Sequence, residues 1–121
     1  MVQATVHTST ATLQAHRAAL SDAIQDALVA ALDYPREKRF QRFLGLAPED
    51  FIHPPELGEQ YTVVEISMFI GRTEEQKRAL IREIQQRVEA GAGIPAASVE
   101  ITVFETPRSS WGIRGMNDAE L

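Results

Sequence analysis

The chain has 121 residues, 44% of them hydrophobic and 24% charged, with 17 acidic against 12 basic side chains and a formal charge of −5. That length fits a single domain over residues 1–121 and is short for two, while the acidity argues against a general nucleic-acid binder, whose footprint is a basic face. With no cysteine, no apolar run of membrane-spanning length and no basic or apolar signal in MVQATVHTST, the expected protein is cytoplasmic, free of disulfides and not bound to a membrane.

Val2–His7 alternates as a strand, with Val2, Ala4 and Val6 on one side. Ser9 or Thr10 can cap the helix that follows, and Leu13, Leu20, Ile24, Ala27, Leu28 and Ala31 line one stripe of it as far as about Leu32. Pro35 disfavours helical geometry at Tyr34 and stops the run. Arg39–Leu46 reads as a second strand. Ala47–Gln60 holds Pro48, Pro54, Pro55 and Gly58, which rule out regular structure over most of it. Its Phe51, Ile52 and Leu57 need somewhere to bury, so it reads as a loop laid over the protein, with a short pairing near Phe51–Ile52.

The stretch Tyr61–Val88 organises the rest, because its period changes at Gly71. Val64, Ile66, Met68 and Ile70 share one face of a strand. After the glycine, Thr73 and Gln76 form a capping-box pair, with Glu74 and Glu75 in the first turn where the helix dipole favours negative charge. Leu80, Ile81, Ile84 and Val88 then recur at helical spacing, and Ala90–Gly93 has the pattern of a glycine C-cap. Val99–Glu105 is a fourth strand that Pro107 ends. The tail RSSWGIRGMNDAEL holds the only tryptophan, and Gly112 and Gly115 flank Ile113-Arg114, which suits a tight bend or short hairpin.

The order is therefore β-α-β, loop, β-α-β, tail, a structural repeat of about sixty residues. Right-handed crossovers place both helices on one face of a four-stranded sheet, an α+β fold. The other face then carries Val63, Phe69 and Phe104 beside Glu65, Ser67 and Thr102. Apolar groups on an uncovered sheet face call for another subunit.

Taken in this order, EISMFIGRTEEQK, EITVFETPR and WGIRG resemble the tautomerase superfamily. The match is nearest to its longer-chain group, which has two β-α-β units and includes malonate semialdehyde decarboxylase. The resemblance runs from the first strand to Arg114. It implies a homotrimer with active sites where the first strand begins and cofactor-free chemistry on small 2-oxo or unsaturated carboxylic acids. The base in that family is an N-terminal proline of depressed pKa, and arginines grip the substrate carboxylate. Moving a proton next to a carbonyl needs a base that titrates near neutral pH and a cation for the oxyanion.

This chain departs from that pattern at the base itself. Val2 follows Met1, and no proline precedes Pro35. If Met1 is removed, Val2 bears a primary amine, which titrates at about 7.7–8.0 when unperturbed and is able to shuttle a proton or form an imine. If Met1 stays, Val2 is an ordinary amide. The decarboxylase branch has an aspartate after the first helix, where this chain reads PREKR, with Lys38 in that slot. Of that branch's two arginines at the turn before the second helix only Arg72 matches, since Ile70 takes the other place.

The candidate site is accordingly Val2 at the base position, Arg72 and Arg39 on the substrate carboxylate, and Trp111 as a pocket wall. Each also has a plain structural explanation: a solvated arginine before an N-cap for Arg72, a surface strand residue for Arg39, a packing residue at a subunit contact for Trp111. The three histidines show no metal spacing, and Gly71-Arg72-Thr73 lacks the glycines and lysine of a phosphate loop. Two rivals to a keto–enol tautomerase of altered or weak activity remain. One is a non-catalytic ligand-binding relative on the same scaffold. The other is an acidic ferredoxin-like regulatory domain.

Overall fold

The computed structural model describes residues 1–121. Its elements are β1 (Val2–Ser9), α1 (Thr10–Leu32), β2 (Gln41–Leu46), β3 (Thr62–Phe69), α2 (Glu74–Ala92) and β4 (Val99–Thr106), with short 3-10 turns in the connections. The sheet order is β2-β1-β3-β4. β1 runs parallel to β2 and β3 parallel to β4, and the two units meet antiparallel in the middle, where Val2 pairs with Met68 and Thr8 with Thr62. This is the β-α-β repeat expected from the sequence.

Strand alternation decides which face is covered. Val2, Ala4, Val6 and Thr8 of β1 and Thr62, Val64, Ile66 and Met68 of β3 are buried under the helices. Leu20, Ile24, Leu80, Ile84 and Val88 come down onto them and are themselves fully buried. Each such side chain contributes about 1.5–3 kcal/mol by leaving water. The opposite face is bare. Val63 and Phe69 are half-buried there, and Leu44 and Phe104 are 42% and 46% exposed.

The helix ends follow local chemistry. Ser9 caps α1 by accepting from the Thr12 N–H at 3.1 Å. Thr73 and Gln76 make the reciprocal capping box of α2, with bonds of 3.1 and 3.0 Å. Gly93, at φ 71°, closes α2 in the left-handed conformation that glycine adopts without steric cost.

Two expectations need correction. β2 begins at Gln41 rather than Arg39, because the ladder starts where the Ala4 N–H reaches the Phe40 carbonyl at 2.9 Å. Phe51 and Ile52 pair with no strand; the proline-rich connection forms two 3-10 turns instead. Phe51 finds its partner in the ring of Tyr61, 5.4 Å away. No helix is long and apolar enough to cross a membrane.

Candidate active site

The topology gathers one set of chain ends. β1 and β2 start, and β3 and β4 finish, at the same end of the sheet. Residues just before β1 and β2 and just after β3 and β4 must therefore meet there. They are Met1, Lys38, Arg72 and the tail from Arg108 to Arg114.

Each is placed by a local device. Val2 is buried, so β1 is anchored from its first residue, and its N–H donates to the Tyr34 hydroxyl at 3.1 Å. Tyr34 stands at the exit of α1, where Asp33 in the left-handed region (φ 52°) turns the chain back. The turn after it is held by Gln25, a fully buried α1 side chain whose amide donates to the carbonyls of Lys38 at 3.0 Å and Arg36 at 3.1 Å. Continuing the β1–β2 register past Ala4↔Gln41 sets Met1 across from Lys38. Continuing the β1–β3 register past Val2↔Met68 sets Met1 against Phe69 on its other side.

Gly71, at φ 128°, makes the sharp exit from β3. Arg72 then turns back and donates to the Leu32 carbonyl at 3.1 Å, satisfying a free acceptor at the end of α1. In the tail, Trp111 packs edge-on to Phe69 with ring centres 5.1 Å apart and donates its indole N–H to the Thr106 hydroxyl. The Arg108 guanidinium lies over the Phe69 ring at 4.9 Å. Buried Ile113 exchanges two 2.9 Å backbone bonds with Met116, and the bend between them swings Arg114 over Phe40, 6.0 Å from its ring centre.

The result is a terminal amine at the end of the sheet where four cations also lie. Burial first, and then the charges of Lys38, Arg72, Arg108 and Arg114, hold the terminal ammonium of Met1 below its ordinary value. None of the four cations forms an ion pair with a carboxylate. An amine so placed gives up its proton more readily than an ordinary terminus, with positive charge nearby for an anionic ligand. Phe69 and Trp111 lie at the edge of the bare sheet face, so a subunit covering that face would also wall this site.

Of the residues singled out in the sequence, Arg72 and Trp111 come to this group, and Val2 borders it. The Val2 nitrogen is a backbone amide while Met1 is present. Arg39 is not brought in: its guanidinium turns toward α1 and bonds Asp22 at 2.8 Å and Ser21 at 3.1 Å. The candidate set drawn from the sequence left out Lys38, Arg108 and Arg114. The available signal was topological, since each lies next to a strand terminus at this one end of the sheet.

A concavity of about 720 Å³ lies at the opposite end, lined by residues that include Thr12, His16, Phe51, His53 and Gln60. No lysine or arginine lines it. Nearby, the Tyr61 hydroxyl donates to Glu100, a bond that with burial pushes its pKa up to about 12. No group of side chains in the structure is arranged to hold a metal ion.

The family model described as "Tautomerase enzyme" matches residues 38–114. A 2-hydroxymuconate tautomerase of Pseudomonas putida is 40% identical over 57 residues, which are 47% of this chain and 90% of that protein. One from Comamonas testosteroni is 37% identical over 57 residues, with the same shares. Each relative is thus about the length of one of the two β-α-β units. Among solved structures, FG41 malonate semialdehyde decarboxylase inhibited by 3-bromopropiolate aligns with a TM-score of 0.77 and 29% identity over 98% of this chain and 97% of that one. The symmetric trimer of Q0 fused 4-OT aligns at 0.83 and 27% over 97% and 96%. With the family match reaching from Lys38 through β2 and the whole second unit to Arg114, this chain belongs to the tautomerase family.

Proposed function

We propose that the protein is a cofactor-independent keto–enol tautomerase of a small 2-oxo or unsaturated carboxylic acid, working as a homotrimer. The observation that supports this most is the terminal amine, lowered in pKa by burial and by four cations that form no ion pair with a carboxylate. The neutral amine takes a proton from the carbon beside the carbonyl and returns it at the other end of the enol system. Arg108, Arg114, Lys38 and Arg72 hold the carboxylate and offset the charge that develops on oxygen. Trp111 and Phe69 supply an apolar wall against the carbon skeleton. The same role passes to the Val2 amine if Met1 is removed, and the Tyr34 hydroxyl is then its hydrogen-bond partner. The bare sheet face with Leu44 and Phe104 supports self-association, as does the likeness to a trimeric fused 4-OT.

The test is ketonisation of the enol of phenylpyruvate, followed by absorbance, before and after acetylation of the terminal amine. Slow turnover that acetylation abolishes is the expected result; equal turnover by the acetylated protein overturns the assignment. A second reading is favoured by the Val2 nitrogen, which is a hydrogen-bonded amide here. On that reading the site binds carboxylates without turnover, and calorimetry would detect 2-oxo acid binding in a protein inactive on every enol.

A further inference from the structure

The family resemblance calls for a secondary amine at this site, but this chain places a primary one there. That holds for Met1 as the structure has it and equally for Val2 after Met1 is lost. The distinction is chemical. A secondary amine condensing with a ketone stops at a permanently charged iminium, whereas a primary amine has two hydrogens to give up and reaches a neutral imine.

We propose that the terminal α-amine forms a covalent imine with the carbonyl carbon of a small 2-oxo acid whose carboxylate sits among Lys38, Arg72, Arg108 and Arg114. The amine lone pair attacks the carbonyl carbon, and the C=O pair moves onto oxygen, which takes up a proton. The resulting carbinolamine loses its hydroxyl with a proton as water, leaving C=N in place of C=O. Protonation at nitrogen lets the neighbouring carbon release a proton, with the C–H pair moving to a C=C bond and the iminium pair returning to nitrogen. Reversal of these steps regenerates the 2-oxo acid, carrying solvent hydrogen at that carbon. No oxidant, metal or further reactant is needed.

Three features of the site favour this step. The amine is neutral at lower pH than an ordinary terminus, so a nucleophile is present. The unpaired cations attract the carboxylate and hold the adjacent carbonyl near nitrogen, which raises its effective concentration. Competing amines are few, because the chain has two lysines. Lys77 is tied to Glu105 at 2.7 Å, which leaves Lys38 as the rival within the site itself.

The inference rests on the same site as the proposed tautomerase but not on its chemistry, and the two are separable. The full-length protein is incubated with pyruvate and cyanoborohydride, and intact mass and peptide mapping locate the product. The expected adduct adds the mass of pyruvic acid less one oxygen and sits on residue one. It forms about tenfold faster in the folded protein than in urea, and solvent deuterium enters the pyruvate methyl group. Labelling at Lys38, or equal labelling of folded and unfolded chains, overturns the proposal. Phenylpyruvate enol turnover measured alongside distinguishes the two ideas. Turnover without folded-state labelling removes the imine and leaves the tautomerase, whereas labelling without turnover leaves the imine standing.

Discussion

The backbone N–H of Val2 donates to the hydroxyl of Tyr34 across 3.1 Å in the protein interior. This bond ties the first residue of β1 to the exit of α1, and so fixes the terminus against the cations around it. Both partners are buried, Val2 at 3% and Tyr34 at 6% exposure, which leaves the N–H little access to water as a replacement.

Tyr34→Phe should therefore cost more than an average hydrogen bond. The ring still fills its space, but a buried donor loses its acceptor, for about 1–3 kcal/mol. Urea unfolding should show that loss. A change well under 1 kcal/mol would mean that another acceptor takes over the Val2 N–H.

Lys38 offers a pH test with a definite sign. Its positive charge is the largest of the four charge effects that lower the amine's pKa, second only to burial. Lys38→Met relieves that repulsion of the protonated amine, so the amine's pKa rises back toward its ordinary value near 8. Less of the amine is then neutral at pH 7. The acid limb of the pH–rate profile for enol ketonisation should move to higher pH, while rates on the alkaline plateau fall only by the lost carboxylate contact. An unmoved limb would show that Lys38 does not act on the base.

Much of the fold was legible because local signals agreed with the packing. The change of period at Gly71, the Thr73–Gln76 capping box and the matched alternation of Val2–Val6 and Val64–Met68 each have short-range causes. Gln25 was not legible. It is a polar residue on the buried side of α1, and its place makes sense only once the carbonyls of Arg36 and Lys38 are seen above it. The site was legible in part for a similar reason. Lys38, Arg72, Arg108 and Arg114 come from separate segments, and only the sheet topology brings them together. The adjacent pair Lys38 and Arg39 shows how fine the distinction is. Arg39 turns to Asp22 on α1, and its neighbour acts on the amine.

Arg72 has two duties that one pair of variants can separate. Its guanidinium donates to the Leu32 carbonyl at the end of α1, and its charge acts on the terminal amine. A cation at a helix C-terminus also meets the negative end of the dipole favourably. Arg72→Ala removes both effects: stability should fall by about 0.5–1.5 kcal/mol and enol ketonisation should drop with it. Arg72→Lys keeps the positive charge but loses the planar fork that serves two acceptors at once. If the fork grips the carboxylate while also holding Leu32, the lysine variant should recover most of the stability yet bind substrate more weakly, raising KM more than it lowers kcat. If Arg72 serves only the helix, the lysine variant should be indistinguishable from the parent in both constants. Steady-state kinetics and thermal unfolding on the same two preparations decide between these outcomes.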